Sequence, residues 1–287
     1  GIPAIIGELV AEIAFNQTLP NQYRFADKVN DSDFNTILRV SLTHFCQQLD
    51  KPLVIFFDEV DCLSNGTLIS FLRQLRSGYI NRDRIPFVHS LALVGMRNIR
   101  DYKGKIREER ETLGSASPFN IVSESLTLRN FREDEIALLY AQHTEVTGQL
   151  FSSEVIAQVY QQTQGQPWLV NAIAREIVVK ILANDYSQPI PLAFVDQAIQ
   201  TLIQRRDTHI DSLMERLTEA RVQRILEPVI LGKNQRYELL DDDYQYVLDL
   251  GLLREVDKQL IPSNPIYGEV IIRTLTFRSQ TEFDGVS

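Results

Sequence analysis

The spacing of apolar and polar positions changes character near residue 126, and the two sides of that change predict different kinds of packing. On the N-terminal side, Ile5, Leu9 and Ile13, flanked by Ile6 and Val10, predict a helix over residues 4–16. Phe34, Ile37, Leu38, Leu42, Phe45, Cys46 and Leu49 predict a second, beginning near Asp31 with Ser32 or Asp33 as its cap. Leu53-Val54-Ile55-Phe56-Phe57 is an unbroken apolar run, too short for a buried helix and rich in Val, Ile and Phe, so it predicts a strand buried on both faces. Past the loop Ser64-Asn65-Gly66, the residues Leu68, Phe71, Leu72 and Leu75 share one helical face. The stretch Pro86–Gly95 then reads as another strand, buried at its distal half. Strand, helix and strand in that order predict a βαβ unit of a parallel sheet, with Phe119-Asn120-Ile121-Val122 as a third short strand.

From Leu126 onward the period is helical. Ile136, Leu139 and Tyr140 carry a helix that follows Thr127 or Asn130 and ends at Gly148; Ser152 and Ser153 cap another containing Val155, Ile156 and Val159. Gly165-Gln166-Pro167-Trp168 breaks it. Leu169, Ile173, Ile177, Val178 and Ile181 continue as a strong helix to Asn184, and after Pro189 and Pro191 a last helix runs from Leu192 toward Arg206. Further helices are expected around Leu213 and Leu217, over Val222–Val229, and over Tyr244–Leu250 with Gly251 as its stop. Leu252–Val256 and Gln259–Pro262 then form two strands about the turn Asp257-Lys258. Helices followed by a β-hairpin describe a winged-helix module. The boundaries that result are 1–125 for an α/β core, 126–210 for a helical unit, 211–275 for the winged helix and 276–287 for a tail.

The chemistry sits where the first strand ends. Asp58 and Glu59 directly follow Phe57, at the carboxyl end of a strand where α/β sheets place their ligands. In a phosphate-handling site Asp58 would hold Mg²⁺, usually through a water, and Glu59 would polarise the water that attacks a γ-phosphate, which is a Walker B pattern. The plainer alternative is a buried strand ending in a solvated Asp-Glu turn. The second strand runs into Gly95-Met96-Arg97-Asn98, so Arg97 or Asn98 stands where a γ-phosphate sensor would, unless both simply leave the sheet for water. A P-loop of the form Gly-x-x-x-x-Gly-Lys-Ser/Thr is absent from the sequence; Gly104-Lys105-Ile106 and Gly7-Glu8-Leu9 are the nearest fragments. Since the chain begins at Gly1 without Met, the P-loop is expected upstream.

Composition narrows the classes. At 287 residues and 44% hydrophobic the chain can build two or three packed units. There is no apolar run of about 18 residues and no basic segment leading an apolar one at the start, so no membrane span or export signal is expected. Cys46 and Cys62 lack metal or disulfide spacing and the four histidines are scattered, which predicts a reducing, cytoplasmic setting without a Cys/His metal site. A net charge of −9 disfavours nucleic acid for the chain as a whole. Residues 97–110 are the local exception, with six Arg and Lys against three acids, read as a solvated loop of mixed charge or as a nucleic-acid patch. The winged-helix stretch 211–275 holds 12 acids against 8 Lys and Arg, a net −4, which favours packing on protein over DNA. Asp241-Asp242-Asp243, ahead of the helix with Tyr244 and Val247, would repel a phosphate backbone, or simply cap a stable helix.

Taken together, Phe56-Phe57-Asp58-Glu59, Gly95-Met96-Arg97, Ser117-Pro118-Phe119-Asn120, Thr163 to Asn171 and Asn264-Pro265-Ile266-Tyr267 resemble the bacterial AAA-like ATPases, which are close to the STAND signalling ATPases and the archaeal-type ATPases. The ordered set spans nearly the whole chain. The resemblance implies an α/β parallel-sheet P-loop NTPase core, N-terminally truncated here, followed by an α-helical lid and a winged helix. It implies ATP and Mg²⁺ as ligands and a Gly-x-Pro turn of the lid, Gly165 and Pro167, near the adenine. That turn also seats Trp168 in the core. Arg175, about two helical turns on, would be a second sensor or an exposed helix Arg. The implied activity is ATP hydrolysis coupled to a two-state switch, with a protein partner or the protein's own effector domain downstream and a nucleotide-dependent oligomer as a possible form. Without a P-loop, residues 1–287 are expected to bind ATP poorly. The alternative from another class is a nucleotide-free winged-helix regulatory or DNA-binding protein whose carboxylates are relics.

Overall fold

The computed structural model describes residues 1–15, 34–95, 124–205, 208–232 and 241–284. The chain divides into two compact units, Gly1–Leu126 and Thr127–Ser287. Expectations that fall on Asp31–Asp33, on residues 97–110 and on Phe119–Val122 lie outside the described residues.

In the first unit, α1 (Ile2–Phe15), α2 (Ile37–Cys46) and α3 (Asn65–Ile80) surround a core of Ile2, Ile6, Leu38, Leu42, Phe45, Leu68, Phe71, Leu72 and Leu75. Strands β1 (Val54–Phe57) and β2 (Ser90–Leu93) pair in parallel, with Val54 opposite Ser90 and Phe57 opposite Leu93. The crossover between them is α3, as the βαβ pattern requires. Burial on both faces of β1 does not hold. Ile55 and Phe57 are half-buried, Phe57 meeting the Phe71 ring edge-on at 5.0 Å, while Val54 and Phe56 are 51% and 74% exposed. The cause is that α3 covers one face of the strand. Burial in the second strand also runs opposite to expectation: Phe87 and Val88, ahead of β2, are buried, and Val94 beyond it is exposed. Phe87 lies flat against α3 at Gly78, where a Cβ would fall 2.3 Å from its ring, so a glycine inside a helix is required by contact here.

The described start of α2 has no capping side chain of its own, Thr36 making no such bond. Gln74 of α3 does that work from across the core. Its Oε1 accepts from Leu38 N–H (2.8 Å) and Arg39 N–H (3.2 Å), while its Nε2 donates to Phe34 O (2.9 Å) and Ser70 Oγ (3.1 Å). A buried glutamine thereby satisfies orphan donors that a helix N-terminus leaves.

The second unit opens with α4 (Glu133–Thr147), α5 (Ser153–Thr163), α6 (Pro167–Arg175, continuing as a π-helix over Glu176–Ile181) and α7 (Ala193–Arg205). It goes on through α8 (Thr208–Arg216), α9 (Ala220–Ile230), α10 (Asp242–Asp249), the antiparallel hairpin β3 (Leu253–Val256) and β4 (Gln259–Pro262), and α11 (Pro265–Asp284). Asp257 and Lys258 at the hairpin tip have φ of 51° and 65°, the left-handed pair that a two-residue hairpin turn uses. One apolar cluster runs from Ile136 to Ile271 without a break at residue 210. Helix α11 ties it together, burying Ile266, Tyr267, Val270 and Ile271 and packing on α5, α7, α8 and β4. This helix was not foreseen, and the tail expected from residue 276 continues it as far as Asp284. A signal for it was available in Asn264-Pro265: Asn264 Oδ1 accepts from Tyr267 N–H at 2.8 Å as N-cap, and proline suits the first helical position.

Candidate functional site

At the end of β1 the ladder is prolonged past the last strand residue. Val94 N–H donates to Phe57 O (2.8 Å), and Val60 N–H donates to Val94 O (3.1 Å), so Asp58 and Glu59 form a two-residue kink whose ends are both held by the chain leaving β2. The kink needs a left-handed residue, and that residue is Glu59, at φ 52° and ψ 36°. A non-glycine side chain in this region costs about 1–2 kcal/mol. Asp58 Oδ1 accepts from Glu59 N–H at 2.9 Å, which leaves Oδ2 without a partner among the described residues. Both side chains are exposed, and neither forms an ion pair among the described residues. Val60–Cys62 then makes one 3₁₀ turn leading to α3. Two carboxylates are thus fixed at the carboxyl end of parallel strands, facing water. Arg97 and Asn98 lie outside the described residues.

The second unit places Gly165 and Pro167 in the turn between α5 and α6. Gly165 has φ 73°, and a Cβ there would stand 1.8 Å from Phe131 O. Its own groups are engaged: Gly165 N–H donates to Thr163 Oγ1 (3.1 Å), and Gly165 O accepts from Phe131 N–H (2.8 Å). Asn130 Nδ2 adds a bond to Gln164 O (3.1 Å), and Gln166 Oε1 caps α6 by accepting from Leu169 N–H at 2.6 Å. Pro167 occupies the first turn of α6, and Trp168 behind it is half-buried. The turn is therefore pinned to the segment entering α4 by one backbone bond and the Asn130 side chain.

Arg175 is exposed on α6 and lines the same cleft as Trp168. Next to it, Glu176 is buried and paired with Arg205 at 3.0 Å. Neither Glu176–Arg205 nor the Gln74 cap was legible in the sequence, because the partners lie 29 and about 35 positions apart and no local pattern links them.

The acidic triplet ahead of α10 is occupied internally. Asp241 caps the helix, accepting from Asp243 N–H (2.9 Å) and Tyr244 N–H (3.2 Å). Arg224 reaches Asp241 (2.6 Å) and Asp243 (2.9 Å), and Arg221 reaches Asp243 at 3.1 Å while its guanidinium lies 3.9 Å over the Tyr246 ring. The bond to the Arg224 side chain holds the Asp241 carboxyl below the usual carboxylate range. Among the described residues no helix is long and apolar enough to cross a membrane, and no group of three or more His, Cys, Asp or Glu forms a metal cluster.

A family profile described as AAA-like domain matches residues 42–271. None of the curated proteins compared matches the chain. Among solved structures, the chain is similar to the Walker-type ATPase PABY2304 of Pyrococcus abyssi, with 15% identity and a TM-score of 0.58, over 93% of this chain and 78% of that one. At that identity the likeness speaks for the fold, an α/β fold of the P-loop NTPase kind. The profile match spans the strand-end carboxylates of the first unit and the Gly-Gln-Pro turn of the second, and on that coverage the chain belongs to the AAA-like domain family.

Proposed function

We propose that this chain carries the hydrolytic carboxylates and the output module of an ATP-driven switch. In this reading Asp58 holds Mg²⁺ through water and Glu59 orients and polarises the attacking water. The observation that supports it is the kink at the end of β1: two exposed carboxylates, one in a left-handed conformation, clamped between hydrogen bonds to the chain leaving β2. The donor set fits the ion, because Mg²⁺ is usually held by one or two carboxylates together with substrate phosphates and water, and Asp58 keeps Oδ2 for that use. Bound with ATP, Mg²⁺ would neutralise charge on the transferred phosphoryl group. Arg97 or Asn98, following Gly95 in sequence, supplies the γ-phosphate sensor. We read residues 127–210 as the lid, and α8–α10 with the β3–β4 hairpin as a winged helix that faces protein. Supporting that last point, Arg221 and Arg224 are already held by Asp241 and Asp243, which removes two cations from any phosphate backbone.

The test separates binding from chemistry. Residues 1–287 contain no Gly-x-x-x-x-Gly-Lys-Ser/Thr string, so turnover is read in a polypeptide that joins them to a P-loop segment. There Glu59→Gln is expected to leave ATP binding intact and cut kcat by about 10² or more, and equal turnover removes the assignment. As control, calorimetry of residues 1–287 with Mg-ATP is expected to show nothing tighter than about millimolar, and a micromolar constant would point to a phosphate site of another kind.

A further inference from the structure

Charge is divided unevenly along this chain. Over residues 62–95 four arginines (Arg73, Arg76, Arg82 and Arg84) stand against the single acid Asp83, a net +3. Over residues 127–174 the five acids Glu133, Asp134, Glu135, Glu145 and Glu154 stand against Arg129 and Arg132, a net −3. In the first unit the basic stretch forms the end of α3 and the turn beyond it. Arg73, Ser77 and Ile80 lie on successive turns of the exposed side of that helix, and the turn is fixed by Arg84 N–H and Ile85 N–H, both donating to Asn81 O at 3.0 Å. The Arg82 guanidinium lies 3.6 Å over the Tyr79 ring, and its Nη1 donates to Tyr79 O at 3.2 Å. Ile80, 62% exposed, and Ile85 stand beside these arginines in water. Arg73, Arg82 and Arg84 form no ion pair among the described residues.

The acidic stretch presents the opposite face. Arg129 and Arg132 are bound to Glu135 and Asp134 at the N-terminal end of α4, so the far end of that helix carries Glu145 and no Lys or Arg. Leu138, Gln142, Glu145 and Val146 follow one another along its exposed side, Val146 being 85% exposed, and Leu150 continues the stripe past the Gly148 cap. Tyr186, also exposed, stands edge-on to His143 at 5.6 Å at this end of the helix, and Gln149 Nε2 holds the loop that carries it by donating to Gln188 O at 2.8 Å. We propose that these two faces pair between copies of the chain, the α3 face of one copy seating on the α4 stripe of the next, with Ile80 and Ile85 against Val146 and Leu150 and with Arg82 or Arg84 reaching Glu145. Charge selects this occupant: either face meeting its own like sets equal charges together, whereas basic on acidic is attractive. Tyrosine and arginine are also the residue types enriched where proteins meet. A contact of this head-to-tail kind leaves one face unused at each end, so it continues into a ring or a filament. It involves no nucleotide and stands or falls apart from the ATP reading.

The test is sedimentation velocity on residues 1–287 without nucleotide, over a concentration series. The wild type is expected to associate as concentration rises, about tenfold more weakly at 500 mM than at 50 mM salt, because charges at an exposed contact are screened. Ile80→Ser with Arg82→Ser removes one face, and Glu145→Ser with Val146→Ser removes the other; these side chains are exposed, so the thermal midpoint of each variant should stay near that of the wild type. Each variant alone is expected to associate at least about tenfold more weakly than the wild type. A 1:1 mixture is expected to form a dimer and nothing larger, because one variant keeps the basic face and the other the acidic one. A wild type that stays monomeric overturns the proposal and assigns these faces to another polypeptide or to the same chain. Variants that associate like the wild type, or a mixture that stays monomeric, overturn it as well.

Discussion

Two segments of this protein turn through the left-handed region just ahead of a helix, and they do so with different residues. Between α5 and α6 the sharpest position is Gly165, buried, with both backbone groups bonded and the Phe131 carbonyl where a side chain would begin. At the end of β1 it is Glu59, exposed, with open space for a side chain and a carboxylate that bonds to no cation among the described residues. In the first case the fold needs the conformation and the sequence supplies the residue that adopts it without strain. In the second a non-glycine residue holds the conformation where glycine would sit more comfortably, as Gln164 also does at φ 49° beside Gly165.

The largest effect expected from breaking this contrast is at Gly165. Gly165→Ala adds a left-handed Cβ and a clash with Phe131 O and endangers the bond from Phe131 N–H, together worth about 3 kcal/mol or more in urea denaturation. Gln74→Ala asks whether the interior of the first unit depends on polar bonding as much. It strips the acceptor from Leu38 and Arg39 N–H, and a loss of about 2 kcal/mol is expected by the same measurement, with exchange of those two amides accelerated. Glu59→Gly should move the other way, gaining about 0.5–1 kcal/mol as left-handed strain is relieved against the entropy of the new glycine, while hydrolysis in the polypeptide joined to a P-loop segment should fall, as the role proposed for Glu59 requires. A destabilised Glu59→Gly would show that the glutamate serves the fold after all.

The smallest effect is a pH dependence at the entry to α4. Glu135 accepts two bonds from the Arg129 guanidinium, each 2.7 Å, and one from Arg132 N–H at 2.8 Å. The Arg129 bond first and the backbone bond second lower its carboxyl to about 2. A folded-state value below the unfolded one stabilises above the unfolded value and fades as pH falls toward the folded one. Wild type should therefore exceed Glu135→Gln in thermal midpoint near neutrality, with the gap shrinking between about pH 4.5 and 2 and absent below that.

Much of the second unit was legible because its helices are amphipathic and punctuated. Gly148 at φ 76° ends α4, Ser152 caps α5, and the Asp257-Lys258 turn sets the hairpin, each where the local chemistry predicts. The strand-end carboxylates were legible too, since an apolar run meeting Asp58-Glu59 is a local pattern. Burial was harder to read. The composition of Leu53–Phe57 suits a strand covered on both sides, and nothing within those residues records that α3 covers only one. The Asp241–Asp243 triplet read either as a field that repels phosphate or as a helix cap; Asp241 does cap α10, and only folding brought Arg221 and Arg224 from α9 onto the triplet.

The sequence by itself determined where most elements begin and end, α11 excepted, and marked candidate positions for chemistry, because caps, turns and hydrophobic period act over a few residues. The tertiary structure decided which charges are satisfied and which remain available. The Gln74 cap, the Glu176–Arg205 pair and the seam that α11 closes across one continuous core all join residues far apart in the chain. Hydrogen bonds and ion pairs act over a few ångströms, and the distances between those groups are set only when the helices that carry them pack.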